Sequence, residues 1–313
     1  VTGVQTCALP IWRPGIVPSK GKTRVFIFDW KDHPGKSQAW YDQRRARSEA
    51  EGLLHVFAQE VDRDYAASID GVIIPAKWVK AAIDAHIRLG FKDDGVKMAG
   101  LDVADEGGDK NALAIRYGVV LRHCESWGNG DTGDTARRAI HKCHEMAVTT
   151  LNYDAIGVGA GVKAEANRLM REGSVKLDIR PFNAGGKPWS PASRVIPGDS
   201  TALRNEDFYA NLKAQGWWLL RTRFEKTYKA VTQDIYFPAE ELISIDSSIP
   251  QIHEIEMELS QPTSSYNGKG KMIVDKTPDG GRSPNLADAI MMCFNPKMQT
   301  GIFGSGVLES KKP

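Results

Sequence analysis

A chain of 313 residues is long enough for one to three domains with well-buried cores. Its 41 Lys and Arg against 39 Asp and Glu leave a net charge of +2, so no global positive field draws in nucleic acid and any surface for DNA must be local. No apolar run approaches the roughly 20 residues that cross a bilayer, and four Cys without a CxxC pair give no disulfide framework and fit a reducing compartment.

Val1–Ile11 (VTGVQTCALPI) looks like the in-frame translation of a sequencing-library adapter, and it lacks the basic start and long apolar core of a signal peptide. We set it apart from the fold, with Cys7, and expect the sequence proper to begin inside a larger protein. Arg24–Trp30 (RVFIFDW) has the pattern of a buried strand, and Lys36–Leu54 is polar with helical character. Pro75–Leu89 predicts a helix: Pro75 favours the start, and Trp78, Ile83 and Ile87 mark an apolar side. Gly90–Gly95 reads as a linker, so the expected boundary falls there. Lys97–Val103, Ala112–Tyr117 and Val119–Trp127 predict three strands, the last two joined tightly at Gly118 in an antiparallel meander. Asp131 or Thr132 caps a helix with Ala136, Ile140, Cys143 and Ala147 on one face. Tyr153–Val158 predicts a strand, Val162–Met170 a helix and Lys176–Phe182 another strand. Pro188–Ser200 reads as a loop or small hairpin, and Glu206–Val231 as one long helix. Ile252–Leu259 and Lys271–Val274 suggest short strands around a turn at Asn267–Gly270. A last helix starts near Pro284, with Ser283 as its cap. Meander, helix, strand, helix, strand and final helix resembles the order of a ribonuclease H-like domain, an α/β fold with a mixed central sheet flanked by helices. That order sets the first and fourth strands side by side.

Three acids stand at the places such an order would bring together. Asp102 ends one apolar strand, Asp154 ends another, and Asp288 lies near the start of the last helix. Hard divalent cations take oxygen ligands, and two such ions about 3.5–4 Å apart clamp the attacking and leaving oxygens of an in-line displacement. Asp109, beyond the Gly-rich turn after Asp102, is a candidate outer ligand or supporting group. The bland alternative is that Asp102, Asp105 and Asp109 only decorate a turn, and that Asp288 only suits a helix start.

Other motifs are weaker. GVGAG at Gly157–Gly161 misses the dinucleotide fingerprint, whose third glycine would be at 162. Gly35-Lys36-Ser37 and Gly21-Lys22-Thr23 resemble the end of a phosphate-binding loop, but Trp30 and Ile16 occupy the required first glycine, so no ATP hydrolysis is expected. His123, Cys124, His141, Cys143 and His144 match no usual zinc spacing. Arg204, Arg221, Arg223, Lys226 and Lys229 cluster around Trp217, Trp218, Phe224 and Tyr228; Arg221, Arg223 and Lys226, with Lys276, are candidate DNA-binding residues.

Taken together, GLDVADEGGDKNAL, YDAIGVGAGV, NLKAQGWWLLRTRF and SPNLADAIMM are similar to the large terminase subunit of tailed bacteriophages, over about residues 24–296. The resemblance implies residues 12–95 as a remnant of a packaging ATPase domain and linker, 96–300 as a ribonuclease H-like nuclease domain, and 301–313 as a tail. It implies a metal-dependent endonuclease that cuts concatemeric viral double-stranded DNA with two Mg²⁺ or Mn²⁺ ions on Asp102, Asp154 and Asp288. The partners implied are the small terminase subunit and the portal protein of the procapsid, in the host cytoplasm with no membrane. Family members commonly carry Asp where this chain has Asn285, which puts Asn285 beside the metal as an auxiliary residue. A different ribonuclease H-like nuclease (resolvase or transposase), and a non-catalytic DNA clamp, remain the competing expectations.

Overall fold

The computed structural model describes residues 29–50, 61–62, 71–104, 110–128, 131–155, 159–172, 177–278 and 282–295. The chain divides into two compact units, Val1–Ser68 and Ile69–Pro313.

In the first unit, Trp30–Asp32 is a single 3-10 turn where a strand end was expected; residues 24–28 lie outside the described residues. Asp29 sets the turn. Its side chain accepts from the Lys31 N–H at 3.0 Å, while the Asp32 carboxylate accepts from the Asp29 N–H at 3.1 Å. These reciprocal bonds take up donors that a strand would have sent to a neighbour. Helix α1 (Gln38–Ala50) follows, with Trp30 stacked on Tyr41 at 4.6 Å.

The second unit is built on a six-stranded sheet. β1 (Lys97–Asp102), β2 (Asn111–Tyr117) and β3 (Val120–Trp127) form the expected antiparallel meander. β4 (Thr150–Asp154) lies parallel beside β1, and β5 (Asp178–Phe182) parallel beside β4. A two-residue strand that the sequence did not signal, β6 (Ser244–Ile245), closes the other edge beside β3, giving the order β5-β4-β1-β2-β3-β6.

Alternation along the strands feeds two cores. Ala99 and Leu101 of β1, with Leu113 and Ile115 of β2, pack under α4 (Thr132–Glu145) and α5 (Gly159–Arg171). Asp131 caps α4, accepting from the Gly133 N–H at 3.1 Å. Met98, Ala112 and Ala114 point the other way, toward the last described helix.

On that second face several expectations are corrected. The predicted helix over 75–89 is two helices, α2 (Ala76–Ala82) and α3 (Ala85–Leu89). Between them Ile83 bridges to Ile245, and the Asp84 N–H donates to Ile245 O at 2.8 Å with Asp84 at φ +53°. Pairing with the short edge strand takes the chain out of the helix there. The long helix over 206–231 is likewise broken into α6 (Asn205–Phe208) and α7 (Leu212–Gln233). Tyr209 bridges to Met272, and Asn211 restarts the helix by accepting from the Ala214 N–H at 2.9 Å. Ile252–Leu259 is not a strand but helix α8. Ile255 and Leu259, four apart, are fully buried while Met257 is 68% exposed, so the 3.6-residue period wins over the apparent alternation. β7 (Thr263–Tyr266) and β8 (Met272–Asp275) form a separate ribbon around the expected turn, where the Asn267 side chain accepts from the Lys269 and Lys271 N–H groups.

Helix α9 (Asn285–Cys293) is buried along its whole length. It lies against β1 at Gly100, where a Cβ would sit 2.1 Å from Ala289 O and 2.7 Å from Cys293 N. Only glycine lets the helix come this close. Among the described residues no helix is long and apolar enough to cross a membrane.

Candidate active site

Asp102 is the last residue of β1 and Asp154 the last of β4. The parallel register pairs Gly100 with Asn152 and Leu101 with Tyr153, so one further residue sets Asp102 beside Asp154. Both lie two residues beyond Gly100 and Asn152 and therefore share their face of the sheet. That face carries α9: Asn152 Nδ2 donates to Met292 O at 3.0 Å. Cys293 Sγ donates to Met98 O at 3.2 Å, while Ala289 lies over Gly100. The helix thus runs antiparallel to β1, and its first turn delivers Asp288 to the strand end that holds Asp102.

Asp288 is 4% exposed, and both its oxygens are engaged. Trp217 Nε1 donates to Oδ1 at 3.1 Å, and Lys276 Nζ donates to Oδ2. Gly216, the residue before Trp217, lies close to the Met291 side chain of α9: a Cβ there would sit 2.5 Å from Met291 Sδ. Burial alone would lower the Lys276 pKa, but the carboxylate of Asp288, and then those of Asp102 and Asp154, outweigh it and raise the ammonium above its ordinary value. A second ammonium borders the group. Burial and then repulsion by Lys276 lower Lys213, against the pull of Asp288, Asp275 and Asp154. Three carboxylates and two lysines therefore meet at the C-terminal edge of β1 and β4.

Among the described residues no group of three or more His, Cys, Asp or Glu is arranged to hold a metal ion. Asp288 is turned to Lys276 and Trp217 instead. The chemistry of the donors nevertheless fits a hard divalent cation: all three are carboxylates, and an ammonium drawn among them stands where cationic charge belongs.

This chain is similar to the nuclease domain of the large terminase subunit gp2 of bacterial virus Sf6, at 28% identity and a TM-score of 0.66, over 71% of this chain and 98% of that one. A mutant of the Sf6 domain with manganese gives 28% and 0.64 over the same shares, and a mutant with calcium 28% and 0.65. The likeness is thus to the nuclease domains of phage large terminase subunits. No protein-family model and no curated protein matches it.

The domain also holds a residue that the sequence did not flag. Glu258, on α8, accepts from the Ala287 N–H at 3.1 Å through Oε2. Pro284 offers α9 no side-chain cap, and neither does Ser283, contrary to expectation; a carboxylate from another helix does that work. Burial raises the Glu258 pKa to about 7, with the Ala287 and Leu286 N–H groups opposing. Glu258 belongs to the helix read as a strand, so nothing in the sequence pointed it toward α9. Gln261 steadies the lysine, its Nε2 donating to Lys276 O at 2.6 Å and Arg282 O at 2.8 Å.

The remaining candidates are scattered. Asn285 is buried at the start of α9, one turn before Asp288. Asp109 lies outside the described residues. Of the four basic candidates only Lys276 reaches the carboxylates. Arg221 donates to Glu225 Oε2 at 2.7 Å and stacks over Trp78 and Trp218. Arg223 donates to Glu240 O and Leu242 O at 2.7 and 2.9 Å, and Lys226 pairs with Glu241 at 2.5 Å. They sit about 6–14 Å along α7 from Trp217.

Proposed function

We propose that this terminase domain is an endonuclease that hydrolyses phosphodiester bonds of concatemeric viral double-stranded DNA with divalent metal. The observation that supports this most is the convergence of Asp102, Asp154 and Asp288 on one face of the sheet, with the Lys276 ammonium drawn among them. The manganese and calcium named with the Sf6 nuclease domain favour the same class of ion. In this reading Asp102, Asp154 and Asp288 hold two Mg²⁺ or Mn²⁺ ions. When bound, such ions polarise phosphoryl oxygens, acidify a water and stabilise the leaving oxygen.

The chain's own groups supply the rest. β1 and β4 fix two carboxylates through a shared ladder, so their spacing costs little reorganisation. The Trp217 N–H holds Asp288 Oδ1 in a fixed orientation. Lys276 and Lys213 provide positive charge toward a phosphate at the carboxylate cluster, inside a chain whose net charge is only +2. The DNA substrate is delivered at the procapsid portal in the host cytoplasm, with the small terminase subunit as partner.

The test is nicking of supercoiled plasmid in Mg²⁺ or Mn²⁺ against a chelator control. Asp102→Asn and Asp154→Asn are expected to lose at least about a thousandfold in rate, the loss of a several-kcal/mol metal contribution, while retaining affinity for DNA. Wild-type cleavage by either variant would remove the assignment.

A further inference from the structure

β5 continues past the carboxylate edge into a second feature of the same face. Asp154 is paired with Phe182, and Arg180 with Asn152, so Arg180 and Phe182 share the face of Asp154. Beyond Phe182 the chain turns into a cavity of about 550 Å³, walled by Arg180, Asn183, Lys187, Trp189 and Leu212.

 Its walls include two basic side chains and no acidic one; Arg180 is paired with Asp178, whose carboxylate accepts from its Nε at 2.7 Å, and Lys187 is the exposed charge.

The aromatic wall is held firmly. The Trp189 N–H donates to Gln215 Oε1 at 2.5 Å, and Trp189 O accepts from Gln215 Nε2 and Asn205 Nδ2, each at 3.1 Å. Gln215 and Asn205 are themselves buried, at 3% and 7% exposure. Two interior amides, from α7 and α6, thus fix the backbone of a tryptophan whose side chain stays in solvent, at 37% exposure. The loop is tied to α7 as well: the Leu212 N–H donates to Gly186 O at 2.8 Å, and the Lys213 N–H to Ala184 O at 3.0 Å. Lys213 is the ammonium that borders Asp154 and Asp288. The loop that carries Lys187 and Trp189 is thus tied to the start of α7, beside the lysine that borders the carboxylates.

We propose that this basic cavity with its aromatic wall is a binding site for the DNA strand leading away from the cut phosphate, with Lys187 on a backbone phosphate and the Trp189 indole stacked on a nucleotide. The proposal rests on the nuclease reading for the direction of the strand. Its chemistry is that of nucleic-acid tracks in general: positive charge for the backbone, and a π-face that tolerates any base. Preorganisation lowers the ordering cost of such a contact, and the amide clamp supplies it.

The experiment measures binding of a short DNA duplex with a single-stranded overhang by fluorescence anisotropy, with Ca²⁺ in place of Mg²⁺, over a range of salt. Trp189→Ala is expected to weaken binding about tenfold, the loss of one stacked nucleotide. Lys187→Gln is expected to lower the slope of log affinity against log salt by about one. In cleavage assays the loss from Trp189→Ala should fall on KM rather than kcat. Lys187 is exposed, so its variant reads the site even if Trp189→Ala folds poorly. Wild-type affinity and salt slope in both variants overturn the proposal. Loss of affinity in a protein that cuts no DNA upholds the binding site and removes the nuclease reading instead.

Discussion

Lys276 and a divalent cation ask for the same oxygen of Asp288. Replacing the lysine removes the competitor, so Lys276→Met is expected to bind Mn²⁺ roughly tenfold more tightly, the worth of one partly buried charge pair. Titration calorimetry measures this directly, and an unchanged affinity would show that the ion pair does not compete. Glu258 sets a pH dependence. Its folded pKa of about 7 lies above the ordinary value of 4.5, so the folded state binds more protons between the two. Its contribution is most favourable below the unfolded pKa and is lost as pH rises through 7, a change on the order of 2–3 kcal/mol. Gln keeps an acceptor for the Ala287 N–H and cannot ionise. Glu258→Gln should therefore be more stable than wild type at pH 8 and show a flatter stability profile from pH 5 to 8; urea midpoints no higher than wild type at pH 8 would count against the argument. The meeting of the three aspartates at one edge was legible because strand ends and a helix start are marked by local pattern. The partners of Asp288 were not. Trp217 reads as an apolar core residue, which it is, and only the fold turns its indole N–H toward a carboxylate.

Helix α9 is held at both ends by side chains from elsewhere. Glu258 takes up an N–H at its start, while Asn152 and Arg116 donate to Met292 O and Cys293 O at its end, at 3.0 and 2.7 Å. Gly100 fixes its height above β1. Gly100→Ala forces the helix outward and is expected to cost about 2–3 kcal/mol, lowering the melting temperature by roughly 4–12 °C and, because Asp288 moves with the helix, suppressing cleavage. A melting temperature and activity equal to wild type would show that α9 can shift without consequence. The central strands were plain in the sequence because each is a short apolar run ended by Gly, Asp or a turn. The errors came where tertiary pairing outweighed local pattern. Ile83 and Asp84 leave a helix to meet β6, a strand of two residues that no pattern announces. The acids of α8 alternate with apolar residues over a stretch short enough to suit either period.

The sheet, both cores and the carboxylates all lie in the unit Ile69–Pro313. A fragment of those residues is expected to fold alone, with the melting temperature and the metal-dependent cleavage of the longer chain; an unfolded fragment by circular dichroism would show that the first unit is needed. The division at Ser68 places α2 and α3 with the nuclease sheet, where composition alone had suggested a linker after them.

The contact between α9 and β1 joins the beginning and the end of the sheet's sequence, and so it has a consequence in time. At 5–20 residues per second, the strand bearing Asp102 leaves the ribosome roughly 10–40 s before the helix bearing Asp288. During that interval a nascent chain can display two of the acids but cannot complete the cluster. Any nucleolytic activity that needs all three acids therefore waits for the arrival of α9, and a product ending before it would lack the third carboxylate.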